Sequence, residues 1–190
     1  MPSVFDVLGR DHQEVKQMLN ELEKGPSAAT GARDNELALR KKMVEQLVIE
    51  ESKHEAVEEM HFWPTVRDRV PDGERLARTA TDQEQEGKVV LDRLDKLDAS
   101  DPEFEQLVGA FIQAGREHIS YEETAVWPLL RETLSADEAT ELGDKVAAGK
   151  KTAPTRPHPG TPPSPGVLKT AGPAVAAADR ARDAVSGRGE

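Results

Sequence analysis

His54-Glu-Ala-Val-Glu-Glu-Met-His-Phe-Trp-Pro64 and His118-Ile-Ser-Tyr-Glu-Glu-Thr-Ala-Val-Trp-Pro128 decide how this chain is read. In both segments proline stands ten positions after histidine, and a glutamate, Glu58 or Glu122, stands four positions after it. Residues i and i+4 share one face of a helix, so each segment presents an imidazole and a carboxylate side by side. Upstream, His12-Gln-Glu-Val-Lys16 is echoed by Glu84-Gln-Glu-Gly-Lys88. The chain is therefore a loose duplication in which an opening donor and a closing His–Glu pair occur twice, giving six donors in all.

Helical spacing extends through all four segments. Leu8, His12, Val15, Leu19 and Leu22 form one apolar seam, and Met43, Leu47, Glu50, His54, Glu58 and His61 form a second. Leu76, Ala80, Glu84, Gly87, Leu91 and Leu94 make the third; Phe104, Leu107, Phe111, His118, Glu122 and Ala125 make the fourth. Four such seams predict an all-α, up-down-up-down four-helix bundle. Each seam carries a titratable residue where a core residue belongs, and buried charges need a partner. A shared dinuclear metal site satisfies all four at once.

The remaining sequence bounds the alternatives. The 190 residues include 36 Asp/Glu and 25 Lys/Arg, a net charge of −11. An acidic body disfavours a nucleic-acid footprint and favours cations. The absence of cysteine excludes disulfide scaffolds, thiolate metal sites and thiol catalysis. No run approaches the roughly 20 apolar residues of a membrane span. Asp6 interrupts the N-terminus before any apolar stretch, unlike a secretory leader, so the expected setting is soluble and cytoplasmic. Gly25–Gly31, Val70–Gly73 and Asp98–Pro102 read as loops, while Ser3 with Asp6 and Ser135 with Glu138 read as capping boxes, the second opening a short fifth helix. Residues 1–150 are expected to be the bundle. Residues 151–190 are expected to be a flexible, disordered Pro/Ala-rich tail, with a short helical piece near Pro173–Val185 and the capacity to contact a protein partner.

The DH-x-E-x-K opening and the two HxxxEE segments ending in aromatic-Pro resemble the hemerythrin-like family, also called HHE cation-binding domains, over about residues 3–131. The resemblance implies a bundle holding two non-haem irons, with His12, His54, Glu58, His118 and Glu122 as ligands. The family's third-helix histidine is replaced here by Glu84, which the internal repeat assigns to the same centre. Manganese also suits such a carboxylate-rich set. His61, one turn beyond Glu58, and Tyr121, three residues after His118, are candidates for an extra ligand or a group supporting the ligands. The implied partner is a small oxidant: peroxide, dioxygen or nitric oxide. Peroxide-decomposing or ferroxidase-type turnover competes with storage or sensing of oxygen or iron without turnover.

Overall fold

In a computed structural model the described residues are 1–160 and 165–188, without the side chains of 165–171. Among them every regular element is helical. Helix α1 spans Val4–Lys24, and a 3₁₀ turn at Ala28–Thr30 leads to α2, Asp34–Val57. Helix α2 runs through a π-helical turn, Glu58–Phe62, into α3, Trp63–Arg69. The second half repeats this with α4 (Gly73–Lys96), α5 (Pro102–Tyr121), a π turn at Glu122–Val126 and α6 (Trp127–Thr133). Helix α7 is Ala136–Lys150 and α8 is Pro165–Ser186. Helices α1, α2, α4 and α5 close a ring, each touching the next, and α7 lies across α1 and α2.

The expected caps form. Ser3 Oγ accepts from the Asp6 N–H while the Asp6 carboxylate accepts from the Ser3 N–H, and Ser135 with Glu138 repeats the exchange. The two π turns also have a sequence cause. Proline has no N–H, so Pro64 and Pro128 cannot complete the α-helical ladder. The preceding tryptophans instead donate five residues back, Trp63 to the Glu58 carbonyl and Trp127 to the Glu122 carbonyl. Each widened turn thus begins at a glutamate of the duplicated motif.

The apolar core is split. One cluster gathers Leu8, Val57, Phe62, Trp63, Val66, Ala80, Trp127 and Leu130 at the end bearing the tryptophans. The other gathers Leu19, Leu22, Leu47, Leu91, Leu94, Phe104 and Phe111 at the opposite end. Between them in the helix registers lie the buried Asp11, His12, Glu51, His54, Glu55, Glu58, Glu84, Lys88 and Glu122, with His118 half-buried. One seam position departs from the sequence reading: Glu51 is buried, whereas Glu50 is half-exposed and pairs with Lys53.

Parts of the tail dock on the bundle. A mobile arm is expected after residue 150, yet residues 151–160 lie on the body, and α8 packs against the Glu58–Phe62 turn. Electrostatics supplies the reason: Arg156 and Arg188 both reach Asp95 on α4, and both also reach Asp183 on α8. Helix α8 carries Pro173 in its interior, which weakens it as an isolated helix, and it gains stability from this docking. The proline-rich stretch at 161–164 falls outside the described residues.

Close packing of α7 depends on Gly143, where a Cβ would lie 2.6 Å from the Pro2 carbonyl oxygen and 2.8 Å from the Val4 nitrogen. Backbone cannot yield as a side-chain tip can, so Gly143→Ala should cost about 1–3 kcal/mol. Thermal unfolding of the purified variant checks this, the expected result being a lowered midpoint with helical content retained at 20 °C or about that temperature.

Candidate metal centre

All six repeat-derived donors converge. His12, His54, Glu58 and Glu122 form one group, and Glu58, Glu84, His118 and Glu122 a second, the donor atoms within each lying inside 4.8 Å of one another. Glu58 and Glu122 belong to both groups, as expected of carboxylates that can bridge two ions. His54 Nε2 lies 3.3 Å from Glu58, while the Nε2 atoms of His12 and His118 lie 3.1 and 3.2 Å from opposite oxygens of Glu122. The first-half residues His12 and His54 share one group, and the second-half residues Glu84 and His118 share the other.

Each histidine is held from behind. Nδ1 of His12 faces Glu123 at 3.0 Å, Nδ1 of His54 faces Asp11 at 3.3 Å, and Nδ1 of His118 faces the Gln83 side-chain oxygen at 3.1 Å. These oxygens accept and do not donate, so in a neutral ring Nδ1 carries the hydrogen and Nε2 presents its lone pair to the centre. Partners of this kind fix the ring and raise its basicity toward a metal. Lys16 grips Glu123, and Lys150 grips Asp11. None of these supports was singled out in the sequence, although the doubled glutamates of the HxxxEE segments were a signal for Glu123.

The donor atoms fit a metal. Nε2 of His12, His54 and His118, both oxygens of Glu58 and Glu122, and Oε2 of Glu84 are buried and make no well-formed hydrogen bond, facing only one another. Unsatisfied buried polar atoms are rare because each carries a desolvation cost. Here they belong to six residues pointing at one place, and imidazole with carboxylate is a donor set suited to iron or manganese.

The two halves differ at one position with structural consequences. Trp127 stacks on the His12 ring, with centroids 4.9 Å apart and planes 15° from parallel. Its repeat counterpart Trp63 donates its indole N–H to Glu84. A carboxylate at 84 thus replaces ring stacking with a hydrogen bond that orients one oxygen and leaves the other free. Tyr121 is half-buried and donates its hydroxyl to the Leu76 carbonyl at 3.3 Å, outside both donor groups. His61 also lies outside them, beside a cavity of about 180 Å³ lined by Gly149, Pro154 and Gly172. The π turn separates its direction from that of Glu58.

Residues 3–130 match the family model described as Hemerythrin HHE cation binding domain. The chain belongs to the hemerythrin HHE cation-binding family. An uncharacterized hemerythrin-like protein of Schizosaccharomyces pombe is 24% identical over 184 residues, covering 96% of this chain and 86% of its own. A DNA nickase of Nostoc is 22% identical over 148 residues, which span 78% of this chain and 39% of the nickase. The crystal structure of a hemerythrin HHE cation binding domain-containing protein from Mycobacterium kansasii superposes with a TM-score of 0.66 at 21% identity, covering 94% of this chain and 99% of that one. This HHE fold places the candidate cation site in its buried polar layer. No described helix is long and apolar enough to cross a membrane.

Without metal, protons compensate the layer. Burial pushes the Glu84 carboxyl up to about 8. Burial works to lower His118, but Glu122 outweighs it and raises the imidazole to about 9. Both folded values lie above their ordinary values of 4.5 and 6.5, so both contributions to stability are complete below those values and are lost as pH rises through about 8 and 9. The metal-free bundle should therefore melt at progressively lower temperature from about pH 6 to pH 9. Metal affinity should rise over the same interval, because binding displaces these protons. Melting curves and competitive metal titrations at stepped pH check both slopes.

Proposed function

We propose that the domain binds two iron ions and reacts with a small oxidant, hydrogen peroxide being the best candidate. The observation that carries this reading is the convergence of buried donor atoms from six residues, none with a well-formed hydrogen bond. His12 and His54 would hold one ion, Glu84 and His118 the other, with Glu58 and Glu122 shared. Two irons bound there would supply a two-electron couple, by which one peroxide is reduced to two waters while a second, giving up two electrons and two protons, becomes dioxygen.

The chain's own part is positioning and charge. Asp11, Glu123 and Gln83 hold the three imidazoles in register, and Trp63 holds Glu84. The apolar clusters on either side keep bulk water out of the layer. A third carboxylate, Glu84, in the group with His118 favours a more oxidised ion than a neutral imidazole would, supporting oxidant chemistry over reversible oxygen carriage. The docked tail favours one further reading, a sensor whose tail reports the state of the centre to a protein partner. Either role suits a cytoplasmic protein without a nucleic-acid or membrane partner.

Chelated protein should melt lower than metal-loaded protein and should recover on adding ferrous iron under argon. Loaded protein should consume hydrogen peroxide faster than free iron, without a persistent oxygen adduct in stopped-flow spectra. Glu84→Ala should weaken one ion more than the other. Glu84→His should keep both ions, because Glu59, the repeat counterpart of Glu123, stands ready to accept the new ring N–H. It should also ease reduction. Two irons retained by both variants with unchanged spectra would remove Glu84 from the centre. A persistent oxygen complex without peroxide loss would favour the sensing or storage reading.

A further inference from the structure

Beside Glu84 the second half departs from the first in a way that ligand geometry does not require. By the repeat, Val15 corresponds to Gly87 and Ile119 to Glu55. Val15 and Ile119 are buried apolar groups that close their side of the polar layer. On the other side, Gly87 omits a side chain and the buried Glu55 brings in a carboxylate, with Oε1 3.7 Å from where a Cβ on Gly87 would lie. Its Oε2 accepts no hydrogen bond. Lys88 lies 3.9 Å from that oxygen and pairs directly with Glu59. The equivalent first-half pair, Lys16 with Glu123, is about a third exposed, whereas Lys88 and Glu59 are buried. A chain needing only stability would close this side with apolar groups as it closes the other, since buried ion pairs contribute little net stability.

The tail lies over the same place. On one face of α4, Gln85 donates to the Pro159 carbonyl at 2.8 Å and Asp95 receives Arg156 and Arg188, with Lys88 between these contacts. Just after α2, α8 packs against the turn that contains Glu59. Glu59 thus lies on the turn that α8 touches, and Glu55, one helical turn before it, reaches Gly87, three residues past Glu84.

We propose that Glu59 and Glu55 form a transient site for a divalent cation on its way to Glu84, that Lys88 occupies the cation's place between arrivals, and that the tail covers the opening. A lysine suits this use because its point charge rides on a flexible stem that can withdraw. The inference rests on the metal-binding reading above and adds the route by which the ion arrives.

Its test is the rate of loading. Full-length metal-free protein would be mixed with Co²⁺ alone, and the visible absorption followed to completion. Glu59→Gln and Glu55→Gln should each slow loading on the order of tenfold, with the final cobalt content and spectrum of the parent. Glu59→Asp, which keeps the charge, should load at nearly the parent rate. Arg156→Ala/Arg188→Ala, which frees the tail, should load faster by a similar factor to the same end point. Circular dichroism identifies a folding defect in either glutamine variant, leaving the other to decide. Parent-like rates in a folded glutamine variant, equal slowing by Glu59→Asp, or an unchanged rate on freeing the tail would overturn the route. Failure of the parent protein to bind cobalt would overturn the metal reading instead.

Discussion

One carboxylate ties the bundle together. Glu122 is wholly buried on α5's π turn, with one oxygen 3.1 Å from His12 on α1 and the other 3.2 Å from His118 on its own helix. Glu58 stands in the equivalent place on α2's turn, 3.3 Å from His54. Carboxylates in an apolar interior need opposite charge or donors from every side. That requirement places α1, α2, α4 and α5 around one layer and divides the apolar core above and below it. The Trp-Pro pairs belong to the same arrangement, because each shifts the helical ladder at the glutamate itself.

The centre is built twice, but its halves are not interchangeable. Around His12 and His54, carboxylates support both imidazoles from behind. Around His118 the support is a neutral amide, and the fourth donor is a carboxylate oriented by an indole. An imidazole backed by a carboxylate is the more basic ligand. The first half therefore gains donor strength from its neighbours, and the second gains negative charge from the ligand itself. The asymmetry begins at residue 84 and spreads to Trp63, Gly87 and Glu55, each of which differs in environment or identity from its repeat partner.

The sequence carried the bundle and the meeting of the six donors because both follow from periodicity. Seam residues at helical spacing must share a face, and a duplicated motif must build a duplicated geometry. Asp11, Gln83 and Glu123 were harder to see, since an acid or amide beside a seam residue looks the same whether it faces solvent or a ring nitrogen. Glu51 and Glu50 show the same limit: one residue of register separates a buried acid from a half-exposed one. The docking of the tail was hidden for a different reason. Proline density describes what Thr152–Gly166 does alone, but Asp95 lies far away in sequence and holds two tail arginines at once. Long-range charge pairing leaves no local pattern.

Charge balance then explains how so acidic a layer folds before any cation arrives. Burial raises the carboxyls of Glu51, Glu55, Glu58 and Glu84, each of which is helped by holding a proton. Burial opposes the charge on His12, but Glu122 and Glu123 prevail and favour the imidazolium. Glu122 goes the other way: burial would raise it, yet His118 and His12 hold it far below the ordinary range. Protons thus occupy the sites that cations would take, and of the two carboxylates shared by both donor groups Glu122 is the one kept ionised. A cation approaching the layer meets a fixed anion at its centre and exchangeable protons around it, so the fold needs no large rearrangement to accept metal. Lys88 completes the pattern on the side where protons alone would leave Glu59 and Glu55 close together.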